Sequence, residues 1–89
     1  MYSILYTSEA RSFIGGCGKK IKGQLKAAVE RIAATPEIGK RLVQELSGFW
    51  SYRSGDYRII YRVLRSEIVV VIVAIGHRRE IYKKVSRKL

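Results

Sequence analysis

The chain has 89 residues, of which 47% are hydrophobic and 28% are charged. This length predicts one domain, residues 1–89, and the hydrophobic share excludes an intrinsically disordered protein. There are 18 Lys and Arg against 7 Asp and Glu, a formal net charge of +11. Such an excess of positive charge predicts a polyanionic partner. Nucleic acid is the leading candidate, and an anionic membrane surface and an acidic protein are the alternatives.

Membrane insertion and secretion are not expected. The longest apolar run, Ile68–Ile75, is far shorter than the ~20 residues of a membrane span. The first residues lack the basic segment and apolar core of a signal peptide. Cys17 is the single cysteine, so it has no intramolecular disulfide partner. We therefore expect a cytoplasmic protein that has no membrane partner.

The N-terminal half predicts one strand and two helices. Alternating β-forming residues over Tyr2–Thr7 predict the strand. Ser8 is the predicted N-cap of a short helix over Glu9–Ile14, which the following glycines end. Apolar residues recur at three- and four-residue spacing in Lys19–Ala34, which predicts a longer helix with one buried face. One or two loose turns are expected over Glu37–Leu46.

The C-terminal half predicts an antiparallel meander of three strands. These are Phe49–Arg53, Tyr57–Leu64 and Ile68–Gly76, joined by turns of about three residues. The last strand is apolar on both faces, which indicates a central position. A short helix is predicted over Arg79–Leu89, where apolar residues four apart share one side: Ile81, Val85 and Leu89.

The predicted fold is therefore α+β, with the order β-α-α-β-β-β. Two N-terminal helices pack on a small antiparallel sheet, and a short C-terminal helix follows the last strand.

Strand alternation predicts a basic cluster at one end of this sheet. Arg58 lies near the start of its strand, which is close to the end of the antiparallel neighbour. The residues after that neighbour are basic, and one more arginine lies across the first turn. The predicted cluster is Arg53, Arg58, His77, Arg78, Arg79 and Tyr82.

The cluster contains donors that suit phosphate. It lacks paired carboxylates, metal-ligand spacing and a Ser/His/Asp arrangement, so we predict neither a metal nor a cofactor. RNA supplies its own nucleophile, the 2′-hydroxyl, and needs in-line orientation, proton transfer and charge stabilisation from an enzyme. Arg58 and Arg78 fit the stabilising role. Tyr82 and His77 are the two candidates for proton transfer.

Two segments resemble the RelE family of bacterial and archaeal toxins. They are Arg53–Tyr61 (RSGDYRIIY) and Gly76–Tyr82 (GHRREIY). The resemblance implies a ribosome-dependent endoribonuclease that cuts messenger RNA in the ribosomal A site and is silenced by a cognate antitoxin. It also implies that Arg58 and Arg78 contact the scissile phosphate, and that Tyr82 transfers a proton or stacks on a base. The best-known members have lysines on the strand before the turn, whereas Phe49–Arg53 has none.

We also predict a role for further basic residues, and two alternative functions remain open. We expect the remaining basic residues near the cluster to bind RNA: Arg53, His77, Arg79, Lys83 and Lys84. The related ParE toxins share the fold and inhibit DNA gyrase, which is one alternative. A non-catalytic basic module that binds RNA and an antitoxin is another.

Overall fold

A computed structural model describes residues 1–88 as a five-stranded sheet with three helices. None of the helices in this range is long and apolar enough to cross a membrane. Short 3₁₀ turns separate several of the elements. In chain order the helices and strands are β1 (Ser3–Tyr6), α1 (Ser8–Gly15), α2 (Lys19–Ala34), β2 (Lys40–Arg41), β3 (Trp50–Ser54), β4 (Tyr57–Leu64), β5 (Val69–His77) and α3 (Ile81–Lys88).

The sheet has the strand order β1-β5-β4-β3-β2. β3, β4 and β5 form the predicted antiparallel meander, and the α+β class is confirmed. The prediction of a purely antiparallel sheet is wrong, because β1 lies parallel to β5 at one edge. The two-residue strand β2, which the sequence did not predict, pairs with β3 at the other edge.

The main core lies between one face of the sheet and the helices α1 and α2. The predicted buried stripe of α2 is confirmed, since Leu25, Ala28, Val29 and Ile32 are all at most 4% exposed. These side chains pack against the apolar residues on this face of β4 and β5, which are Ile59, Tyr61, Val70, Ile72 and Ile75. This packing makes the sheet a rigid base for the residues on its opposite face.

Helix α3 covers part of the opposite face. Ile81 and Val85 are 1% and 3% exposed and pack with Ile60 and Ala74 of the sheet. Their predicted position on the buried side of the helix is confirmed, whereas the predicted Leu89 lies outside the described residues. A cluster of four buried residues is small, so α3 depends on few contacts for its docked position.

Thr7 links the start of α1 to an irregularity in β5. The N-cap of α1 is Thr7 and not the predicted Ser8, because the Thr7 hydroxyl accepts the Ala10 N–H at 3.1 Å. The same hydroxyl donates to the Val73 carbonyl at 2.7 Å. The register between β4 and β5 shifts at this point, where Val73 is the extra residue of a bulge. Beyond the bulge, Gly76 lies opposite Arg58.

Tyr61 fixes the loop before β2 to the sheet. Its ring is fully buried, and its hydroxyl donates to the Pro36 carbonyl at 2.7 Å and accepts the Gly39 N–H at 3.1 Å. Burial raises the pKa of Tyr61 to about 12. A side chain at Gly39 would collide with this hydroxyl and with the Ser51 backbone.

Candidate active site

Five predicted residues line one open cleft at the end of the sheet on the face that α3 covers. The cleft has a volume of about 380 Å³. We call it the arginine cleft, and its lining residues are Arg53, Arg58, Arg78, Arg79 and Tyr82.

The β3–β4 hairpin positions the first two arginines. Arg53 and Arg58 are directly paired across the two strands, so their side chains share a face. The turn between them uses Gly55 with a φ of 61°, and the Arg53 Nε donates to the Gly55 carbonyl at 2.9 Å. Arg58 also lies opposite Gly76 of β5, whose missing side chain leaves room for Ile81 of α3.

Arg78 follows β5 and is attached to the same hairpin. Its backbone N–H donates to the Asp56 carbonyl in the turn at 2.9 Å. The side chain is half-buried, and its Nε has no hydrogen-bond partner among the described residues. A buried N–H without a partner costs about 1–3 kcal/mol.

The positive charge of the arginine cleft is not compensated by nearby carboxylates. Among the side chains described in residues 1–87, the ion pairs shorter than 4.0 Å are Arg65–Glu37 and Lys84–Glu9, and neither involves a cleft residue. Four guanidinium groups around one cleft repel one another and create a positive potential. The arrangement therefore favours binding of a polyanion such as a nucleic acid backbone.

Ser51 contacts two residues of the cleft and was not predicted from the sequence. The Arg58 Nη1 donates to the Ser51 Oγ at 3.1 Å, and the Tyr82 Oη lies 3.1 Å from the same oxygen. Ser51 is 1% exposed. Its position in Phe49–Arg53, alternating with Trp50 and Tyr52, indicates the face that it shares with Arg53, and this was the available signal.

His77 is separated from the other predicted cluster residues. Its side chain lies in a second cleft of about 800 Å³ between α1 and α3. The ring packs edge-on against Tyr57 at 6.3 Å between centroids, and its Nδ1 accepts the Arg79 N–H at 3.3 Å. The end of the sheet is thus shared by two clefts, and the arginine cleft has Tyr82 as its proton-transfer candidate.

Lys83 and Lys84 also line the second cleft. The Lys84 Nζ lies 3.7 Å from a carboxylate oxygen of Glu9 and 5.7 Å from the centre of the Phe13 ring. These contacts attach α3 to α1. The side chain of Lys83 is exposed. No group of three His, Cys, Asp or Glu within residues 1–88 is arranged to hold a metal ion.

Comparison with known proteins identifies the family. Residues 4–82 match the model of one family, described as the ParE toxin of the type II toxin–antitoxin system parDE. The chain belongs to this family of toxins. The match covers both segments from which the resemblance to RelE toxins was drawn.

Named relatives place the toxin among the RelE-type members. Toxin RelG of Mycobacterium tuberculosis is 33% identical in an alignment 89 residues long, which covers 93% of this chain and 98% of RelG. The mRNA interferase toxin RelE of Escherichia coli is 24% identical in an alignment 76 residues long, which covers 81% of this chain and 80% of RelE. The predicted membership of the RelE/ParE superfamily is confirmed.

Solved structures show the same fold. A chain of the toxin–antitoxin complex RelBE2 from Mycobacterium tuberculosis superposes with a TM-score of 0.74 at 34% identity, covering 86% of this chain and 98% of that chain. The isolated RelE toxin of Escherichia coli gives a TM-score of 0.75 at 24% identity with full coverage of both chains.

Proposed function

We propose that this toxin is a ribosome-dependent endoribonuclease that cuts messenger RNA in the ribosomal A site and thereby inhibits translation. The observation that supports this most strongly is the arginine cleft, in which four guanidinium groups and one phenol surround a space without a carboxylate lining it. Two relatives are named mRNA interferases, which supports the same reaction.

Arg58 and Arg78 have the chemistry to bind the scissile phosphate. A guanidinium presents parallel N–H donors that match two phosphate oxygens. Negative charge grows on the phosphoryl oxygens as the 2′-oxygen attacks, so fixed donors stabilise the transition state more than the ground state. Both residues line the arginine cleft.

Tyr82 is the proposed proton donor. A bond forms between the RNA 2′-oxygen and phosphorus as the bond from phosphorus to the 5′-oxygen breaks. The products are a 2′,3′-cyclic phosphate and a 5′-hydroxyl. The 2′-hydroxyl proton passes to water, the leaving 5′-oxygen takes the Tyr82 proton, and water reprotonates the phenol.

The openness of the cleft explains why the ribosome is part of the proposal. Cleavage by the 2′-hydroxyl requires in-line geometry at phosphorus, and most of the rate enhancement then comes from holding that geometry. A shallow cleft binds the backbone but does not enclose it, so the ribosome would hold the message in place. The neighbouring basic residues would bind the flanking RNA: Arg53, His77, Arg79, Lys83 and Lys84.

A cognate antitoxin is the proposed protein partner, and both would act in the cytoplasm, where translation occurs. The matched complexes from Mycobacterium tuberculosis and Escherichia coli are each named as toxin–antitoxin complexes. The net charge of +11 suits a partner with an acidic or amphipathic helix.

The proposal is tested by mapping 5′ ends on a reporter message in a purified translation system. We expect new ends that require both the toxin and the ribosomes, and that disappear with Arg58→Ala. Arg62→Ala is the matched control, because Arg62 lies on the same strand and contacts Phe49 outside the cleft. A message that stays intact with the wild-type toxin and ribosomes would refute the proposal.

Inhibition of DNA gyrase is the second candidate, because the matched family model is that of ParE toxins. A supercoiling assay with purified gyrase separates the two activities. Loss of supercoiling together with an intact message would support gyrase as the target.

A further inference from the structure

Ser51 is a buried polar residue that contacts two residues of the arginine cleft. It lies on β3 with only 1% of its surface exposed, and it faces the same side of the sheet as Arg53 and Ile60. A hydroxyl in such a place costs free energy unless it forms hydrogen bonds. Its partners are therefore the reason that a serine is tolerated there.

Those partners are two of the three groups that the proposed reaction needs. The Ser51 Oγ lies 3.1 Å from the Arg58 Nη1 and 3.1 Å from the Tyr82 Oη. Arg58 belongs to β4 and Tyr82 to α3. Ser51 thus joins the phosphate-binding group of the sheet to the proton donor of the terminal helix.

The hydrogen-bonding capacity of the three side chains explains how one serine oxygen holds both partners. A guanidinium only donates, so Arg58 occupies one lone pair of the Ser51 oxygen. The Tyr82 hydroxyl also donates to this oxygen, so its second lone pair is occupied as well. One buried oxygen therefore accepts from both side chains, which fixes the distance between the Arg58 guanidinium and the Tyr82 phenol.

We propose that Ser51 is a positioning residue, which holds the Arg58 guanidinium and the Tyr82 phenol at a fixed separation, so that the proton donor lies beside the phosphate that Arg58 binds. This rests on the proposed ribonuclease function. It also gives α3 a second role, because the helix brings the proton donor to the sheet only when Tyr82 reaches Ser51. Ser51 itself does not contact the RNA, so it acts through the other two side chains.

The test measures cleavage of a reporter message on ribosomes under single-turnover conditions, at increasing toxin concentration. We expect Ser51→Ala to lower the maximal rate by about 10- to 100-fold, as for a small misplacement of catalytic groups. The toxin concentration for half-maximal rate stays within about threefold, because the four cleft arginines that attract RNA are retained. A lower fraction of folded toxin would instead raise the concentration for half-maximal rate and leave the maximal rate unchanged.

Two further variants separate the hydroxyl from the fold. Ser51→Cys fills the same site with a weak hydrogen-bonding group and is expected to lose rate like Ser51→Ala. Ser54→Ala is the matched control, since Ser54 is a buried serine on the same strand whose Oγ accepts from Gln24 and not from a cleft residue. It is expected to cut like the wild type. Thermal unfolding by circular dichroism verifies that each variant is folded.

A double-mutant cycle then tests whether Ser51 acts through Tyr82. In the Tyr82→Phe background the phenol oxygen is absent, so Ser51→Ala should slow the reaction by less than about threefold. An equal loss in both backgrounds would overturn the proposal, as would full activity of Ser51→Ala or failure of both Ser51 variants to fold. If the wild type does not cut, the proposed function fails first, and the wild-type lane of the same assay shows it.

Discussion

At the scale of single residues, the function depends on arginine geometry as well as on charge. Arg58 is held between Arg53 on β3 and Gly76 on β5, with one nitrogen bonded to Ser51. This leaves the rest of its donor fork available for a phosphate. A lysine would keep the charge but not the fork.

Arg58→Lys therefore separates charge from geometry. We expect Arg58→Ala to lower the single-turnover cleavage rate by about 10²–10³-fold, the usual loss on removing one transition-state donor. Arg58→Lys should recover at most about a tenth of the wild-type rate. RNA binding by the lysine variant should remain near the wild-type level. A lysine variant as fast as the wild type would show that the fork is not required.

Tyr61 gives a prediction for the pH dependence of stability. Burial raises its pKa to about 12 in the folded protein, against about 10 in an unfolded chain. Well below pH 10 the Tyr61 phenol is protonated in both the folded and the unfolded state, and its full contribution to the free energy of unfolding is present. Between pH 10 and 12 the unfolded chain ionises first, so the free energy of unfolding falls as the pH rises.

The comparison with Tyr61→Phe isolates this residue from the five other tyrosines of the chain. At neutral pH the variant should lose about 1–3 kcal/mol, because the Gly39 N–H and the Pro36 carbonyl lose their partner. The difference in Tm between the two proteins should narrow between pH 10 and 12. A difference that is constant across this range would contradict the assignment of the raised pKa to Tyr61.

The residues that line the arginine cleft could be predicted from the sequence, but Ser51, which contacts Arg58 and Tyr82, could not. Strand alternation and the short turn place Arg53 beside Arg58, which the structure reproduces. The position of His77 was missed, because the predicted strand ended at Gly76. In the structure β5 continues to His77, which pairs with Tyr57 and therefore faces away from Arg58. Ser51 gave no charge or motif signal, and its importance lies in contacts to residues 7 and 31 positions away.

At the scale of elements, local sequence signals predicted where helices and strands begin and end better than they predicted which strands pair and in which direction. Helix α2 begins and ends where predicted, after Gly18 and before Thr35-Pro36. The direction of β1 was missed, because alternation of apolar residues is the same for parallel and antiparallel neighbours. The bulge at Val73 depends on the distant hydroxyl of Thr7, so no local pattern indicated it.

The docked position of helix α3 depends on close packing of Ile81 against Gly76 of β5. A Cβ at this position would lie 2.9 Å from the Ile81 Cδ1, which is closer than carbon atoms pack. Gly76→Ala should therefore destabilise the docked helix by about 1–3 kcal/mol through overpacking. Because α3 brings Tyr82 to Ser51, the cleavage rate should fall as well.

Ile81→Val provides the matched test, because it removes the carbon atom that the new Cβ would meet. Alone, this substitution should cost about 0.5–1.5 kcal/mol. Combined with Gly76→Ala, it should give a smaller loss than the sum of the two single changes, measured by chemical denaturation. Strict additivity would contradict the proposed contact.

At the scale of the whole molecule, the charge distribution determines how RNA is attracted. Residues 53–89 contain ten basic and three acidic residues, whereas residues 1–52 contain eight and four. The half that contains the two clefts therefore has a net charge of +7. Attraction to the phosphate backbone should weaken with salt, since each neutralised phosphate releases counterions.

The salt dependence of RNA binding checks this distribution. In a plot of log affinity against log salt for a single-stranded RNA, each phosphate contact contributes about −0.7 to the slope. Arg53→Ala and Arg79→Ala should each make the slope shallower by about that amount. Arg31→Ala on α2 is the control and should leave the slope unchanged, because it is exposed on an element that does not line the arginine cleft. Equal changes for all three would indicate non-specific attraction without a defined site.

The most direct measurement of the central claim uses a message with one 2′-deoxynucleotide, placed immediately 5′ of a mapped cut. With wild-type toxin on ribosomes, we predict that the normal message is cut to a 2′,3′-cyclic phosphate and a 5′-hydroxyl, and that the substituted message stays intact at that position. This result follows if the RNA supplies the nucleophile and the arginine cleft stabilises its attack. Cutting at the deoxy position at the normal rate would contradict that account.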